Sequence, residues 1–86
     1  NRIVAAQAAD ELLNVAGVDA SMVMYPMEDG DVFVSARSIG DVNVQLIMEK
    51  LGGGGNRAAA AAQISGLTLK QAVDKLFAAI DEYIDS

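Results

Sequence analysis

The sequence predicts an α+β domain, a small three-stranded sheet with helices packed against it in the order α-β-β-α-β-α. Three observations carry this reading. Apolar residues recur with a helical period near both ends of the chain and once in its middle; two short runs of strand-like character flank an Asp-Gly turn; and a capping box opens the last helix. With 86 residues the chain makes one domain, residues 1–86, burying roughly 60–65% of its unfolded surface. Much of its apolar content is alanine, so thin, close-packed layers are expected.

Asn1 can cap a first helix, in which Ile3, Val4, Ala8, Leu12, Leu13 and Val15 follow one face. The spacing predicts a helix over residues 2–15, ended by Gly17. Residues 20–27 form a short apolar run suited to a strand, and Pro26 places its end at a strand terminus because proline cannot donate to a ladder. Met22, Met24 and Met27 in this run read as core filler rather than an adaptable binding surface. Glu28-Asp29-Gly30-Asp31 is a hairpin turn, the glycine accepting positive φ. The return strand, Val32 to Ser38, alternates with period two, setting Val32, Val34 and Ala36 on one face and Phe33, Ser35 and Arg37 on the other.

Asp41 is a plausible N-cap for a helix that carries Val44, Ile47, Met48 and Leu51 on one face and stops at Gly52, with Asn43 and Gln45 on its solvated side. The five alanines from Ala58 to Ala62 favour helix by propensity. A helix there would start straight out of four glycines and end within a turn or two at Ser65-Gly66. Residues 57–64 are therefore predicted to be a strand. Thr68 and Gln71 form the capping box of the last helix, whose apolar face runs through Leu69, Ala72, Val73, Leu76, Ile80 and Ile84.

The glycine run Gly52-Gly53-Gly54-Gly55 is the feature most suggestive of function. Such a run is entropically costly, and within a compact chain it signals positive φ or close approach of another group to the backbone. Successive unhindered N–H groups can form an anion-binding concavity, and Arg57 stands just beyond. A flexible linker is the competing reading, but both flanks are apolar rather than rich in Ser, Pro or charge. Net charge is −6, yet residues 35–63 carry three bases (Arg37, Lys50, Arg57) against two acids (Asp41, Glu49). An anion can thus be accepted locally on a molecule whose other surfaces repel it.

Other chemistries are poorly served. There is no His or Cys, so thiolate catalysis is excluded and an all-protein zinc site is disfavoured, and the carboxylates sit where solvated surface explains them. No stretch approaches the ~20 apolar residues of a membrane span. Gly55 is followed by Asn-Arg, which fails the Walker pattern, and a dinucleotide fingerprint at Gly53 would follow a helix where it should follow a strand. The acidic balance and two Phe with two Tyr argue against a single-strand nucleic-acid groove. The chain opens on Asn1 rather than Met and is read as a domain cut from a longer protein.

The stretches SARSIGDVNVQLIMEKLGGGGN and RAAAAAQI resemble the C-terminal DHH-associated domain of DHH-family phosphoesterases, nearest to the GdpP-like cyclic-di-AMP phosphodiesterases. That resemblance extends over essentially the whole chain. It implies a substrate-binding subdomain with no catalytic residue and no metal ligand of its own. Two manganese ions are then expected in a separate catalytic DHH domain of the same chain, and no cofactor in this one. The implied substrate is a cyclic dinucleotide, cyclic di-AMP, or a short oligonucleotide. The alternative is a single-stranded nucleic-acid-binding module of a DHH exonuclease. Carried over residue by residue, Ser35, Arg37, Ser38 and Gly52, Gly53, Gly54 and Gly55 are expected to bind substrate, with Asn56 and Arg57 beside them. Asn56 stands where the family motif has histidine, which implies a weaker or different contact there. The resemblance also implies a membrane-anchored parent protein with this domain on the cytoplasmic side, itself making no membrane contact, and dimerisation through the parent.

Overall fold

A computed structural model describes residues 11–15 and 18–85. Its backbone forms one five-stranded sheet from β1 (Glu11–Val15), β2 (Val18–Pro26), β3 (Val32–Ser38), β4 (Gly54–Gly55) and β5 (Ala59–Ile64). The strand order is β1-β2-β3-β5-β4, and every neighbouring pair is antiparallel. Among the described residues there are also two helices, α1 (Val44–Lys50) and α2 (Leu69–Asp85). The α+β class stands, with two more strands than the sequence predicted.

One added strand overturns the last part of the expected first helix, residues 11–15. Residues 2–10 lie outside the described residues, but Glu11–Val15 is a strand, in register with β2 from Glu11 opposite Met22 to Val15 opposite Val18. Helical periodicity misleads here because Leu and Val serve a strand as well, and only two residues separate Val15 from Val18, a hairpin spacing. A nine-residue β2 offers those five residues a full set of backbone partners, which outweighs a propensity difference of at most ~0.7 kcal/mol per residue. The other added strand, β4, lies within the glycine run, where propensity gives no strand signal.

The rest of the sheet follows its alternation. Met22, Met24, Val32, Val34, Ala36, Ala60, Ala62 and Ile64 are buried on one face, beneath α1 and α2. Met22 and Met24 are core filler, as expected, while Met27 is only half-buried. In the β2–β3 turn Met27 N–H donates to Asp31 O at 2.7 Å and Gly30 takes φ +90°. The alanine run is extended from Ala59, within the predicted 57–64, because Ala60 and Ala62 on its inner face fit a sheet covered closely by α1.

The N-cap of α1 is Asn43, not Asp41: its Oδ1 accepts from the N–H groups of Gln45 (3.1 Å) and Leu46 (3.4 Å). Val42 is buried between the two candidates, which holds Asp41 back on the surface loop. Asn43 is also no merely solvated residue, since its N–H donates to Tyr83 Oη of α2 at 2.9 Å. At the far end Gly52, at φ +86°, closes a Schellman motif: its N–H donates to Glu49 O, and that of Gly53 to Met48 O. The capping box of α2 is present, with Gln71 N–H donating to Thr68 Oγ1 and Thr68 N–H to Gln71 Oε1. The buried part of its stripe comprises Ala72, Leu76, Ala79 and Ile80; Ile84, expected on that face, is 42% exposed because the fully buried stripe ends one turn earlier.

Candidate functional site

The face of the sheet away from the helices carries the candidate site. Directly opposed residues in antiparallel strands share a face, so the register sets Ser35 beside Ala61 and Ala61 beside Gly54, and in the next row Arg37 beside Ala59. Between these rows lies an open groove of about 300 Å³, lined by Ser35, Arg37, Gly54, Gly55 and the alanines 59–61. Arg37 is exposed, and among the described residues it has no ion pair, including none with Asp41. Among the described residues nothing engages its guanidinium, whose N–H donors form a fork suited to phosphate.

The four glycines do different things. Gly52 supplies the positive φ of the helix cap. Gly53 and Gly55 let β4 lie directly on β5: a Cβ on Gly53 would stand 2.6 Å from Ala62 Cα, and one on Gly55 2.5 Å from Ala60 Cα. Gly54 answers no such demand. It has no positive φ, and a Cβ there would meet nothing within 4 Å. Its missing side chain opens the groove instead, across Ala61 from Ser35.

Asn56 and Arg57 make the turn between β4 and β5. Asn56 Oδ1 accepts from the N–H groups of Ala58 and Ala59, both at 2.9 Å, and Asn56 N–H donates to Ala59 O. This is an Asx-type turn, which asparagine forms readily. Arg57 Nη2 donates to Asp41 O at 3.3 Å. The turn is fastened on both sides, Val44 N–H donating to Arg57 O and Ser38 N–H to Ala58 O. Ser38 Oγ is engaged with the backbone of Gly40.

Of the nine expected binding residues, the structure brings Ser35, Arg37, Gly54 and Gly55 into one groove. Gly52, Gly53, Ser38, Asn56 and Arg57 lie around it, engaged in holding the loops. Sequence reasoning left out Ala59 and Ala61 as the floor, although the period of two along the alanine run points to them. Among the described residues no three His, Cys, Asp or Glu side chains converge to hold a metal. The groove itself offers a guanidinium, a hydroxyl and backbone amides, which do not fit a manganese site.

A family model, described as the DHHA1 domain, matches residues 1–86. The chain belongs to the DHHA1 domain family. This DHHA1 domain is 51% identical over 85 residues to the cyclic-di-AMP phosphodiesterase GdpP of Geobacillus thermodenitrificans, a match covering 99% of this chain and 13% of that protein. It is 44% identical over 68 residues to the bifunctional oligoribonuclease and PAP phosphatase NrnA of Thermus thermophilus, covering 79% of this chain and 21% of that one. Among solved structures, an exopolyphosphatase-related protein from Bacteroides fragilis shares its fold with a TM-score of 0.66 at 24% identity, over 77% of this chain and 19% of that chain. The DHHA1 domain thus spans a small fraction of the curated relatives it matches. No helix among its described residues is long and apolar enough to cross a membrane.

Proposed function

We propose that this DHHA1 domain is the substrate-binding half of a DHH-family phosphodiesterase that hydrolyses cyclic di-AMP, or a related short oligonucleotide, to a linear product. Arg37 takes a phosphate through paired N–H donors, and Ser35 donates from its hydroxyl. The open backbone at Gly54 and Gly55 lets the sugar-phosphate chain lie against the sheet. The catalytic residues and two manganese ions belong to a separate DHH domain of the full-length protein; within the groove no residue can abstract a proton or hold a metal. The identity to GdpP supports the cyclic dinucleotide as substrate, and on the same reading the full-length protein is membrane-anchored with this domain on the cytoplasmic side.

The observation that carries the proposal is Gly54. A glycine that no turn, cap or neighbouring backbone requires, placed in register with Ala61 and Ser35 in a groove lined by an arginine that has no ion pair among the described residues, is explained by a ligand that comes close. In the full-length protein Gly54→Ala should weaken binding of cyclic di-AMP, measured by calorimetry, while leaving the fold intact. Unchanged affinity for that ligand and for short oligonucleotides would overturn the proposal.

A further inference from the structure

The same sheet face continues past the groove. Along β3, Phe33 lies four residues from Arg37, about 13 Å at a strand's rise, and its side chain points the same way. Phe33 is paired with Tyr25 on β2 and Gln63 on β5. The rings of Tyr25 and Phe33 have centroids 5.3 Å apart and planes inclined at 38°, and both residues are half-buried, so each keeps part of its ring exposed. Gln63 is exposed, and its Nε2 donates to Asp31 Oδ2 at 2.7 Å.

We infer that Tyr25, Phe33 and Gln63 form a nucleobase subsite at the end of this face, selective for adenine over guanine, and reached by the nucleotide whose phosphate Arg37 holds. This rests on the phosphate-binding reading of the groove. The aromatic pair supplies a surface on which a base can stack. Gln63 supplies the readout. A carboxylate only accepts hydrogen bonds, so the contact with Asp31 fixes which end of the amide is the NH2 group. Gln63 Oε1 is left as an acceptor, with one N–H still free beside it. That is the pattern that pairs with the N6 amine and N7 of adenine. Guanine presents an acceptor, O6, where adenine has the amine, and it would meet Gln63 Oε1 unless the amide turned over and gave up Asp31. Charge sets the direction: the β2–β3 turn with Glu28, Asp29 and Asp31 repels phosphate at the base end, while Arg37 attracts it at the other.

The test uses the full-length protein and two probes, the 5′-phosphorylated dinucleotides pApA and pGpG, with affinities measured by calorimetry. The wild type should prefer pApA. Gln63→Ala, at an exposed position, should lower pApA affinity by about tenfold and leave pGpG nearly unchanged, in line with loss of a paired base contact. Phe33→Leu should weaken both probes, and Arg37→Ala should weaken both without altering their ratio. Asp31 acts as a positioning residue, so Asp31→Asn should bring the ratio toward one by letting the amide turn. Binding that depends on Arg37 but has a base ratio indifferent to Gln63 and Asp31 would overturn the subsite and leave the groove standing. Wild-type binding of neither probe, or binding indifferent to Arg37, would overturn both.

Discussion

At the scale of single residues, the glycine run separates structure from function. Gly53→Ala must push a methyl group into the backbone of β5 and should destabilise the domain by about 1–3 kcal/mol or more, read as a lowered urea midpoint. Gly54→Ala has room and no positive φ to resist it, so it should be neutral or stabilising by about 0.4–1 kcal/mol through the unfolded chain, even as it impairs ligand binding. Opposite signs for stability and affinity at one position would be hard to obtain from a purely structural loop. Arg37→Lys gives a second check. Lysine keeps the charge but loses the fork, so most of the affinity lost in Arg37→Ala should also be lost in Arg37→Lys, with melting temperature unchanged in both. The sequence marked all four glycines alike, because which of them faces β5 and which faces the groove depends on a register that composition does not reveal.

Among the elements, the β4–β5 hairpin shows how a family departure can be absorbed. Asn56 stands where the resemblance places histidine, and its Oδ1 accepts two backbone N–H groups of the turn. Asn56→Ala should therefore cost about 1 kcal/mol per lost hydrogen bond, measured by denaturant unfolding. Asn56→His should tighten cyclic di-AMP binding if a ring nitrogen adds a ligand contact, and loosen the turn if it cannot replace the asparagine acceptor. A histidine variant that leaves both properties unchanged would remove position 56 from the site. Helix α1 has a comparable dependence on Asn43, whose loss to alanine should cost about 1 kcal/mol. The hairpin of β2 and β3, the strand character of the alanines and the capping box of α2 were legible because each has a local signature: Asp-Gly, a run too short between breakers, and Thr-x-x-Gln. The strand Glu11–Val15 was not, since its pairing partner rather than its own pattern decides it.

For the molecule as a whole, the division of labour predicts that the 86-residue chain alone shows no manganese-dependent hydrolysis of cyclic di-AMP, assayed by product chromatography; turnover would refute the assignment of the metals to another domain. Family membership was readable from Ser35 to Gln63 because that stretch is used almost entirely, by the groove, by β4 lying on β5 and by the turn between them. The sheet's open face was half legible: alternation in β3 gave its outward residues, but the strand order that places Gln63 next to Phe33 and Gly54 next to Ala61 is a tertiary fact. The ties from Val44 to Arg57 and from Ser38 to Ala58 join the hairpin tip to the start of α1 and the end of β3. Both walls of the groove are thereby already assembled before anything arrives, so association should follow a single exponential whose rate rises linearly with ligand concentration in stopped-flow traces. A plateau at high concentration would mean that these ties open first, and the amides of Val44 and Ser38 would then exchange with solvent deuterium faster than their neighbours in the sheet.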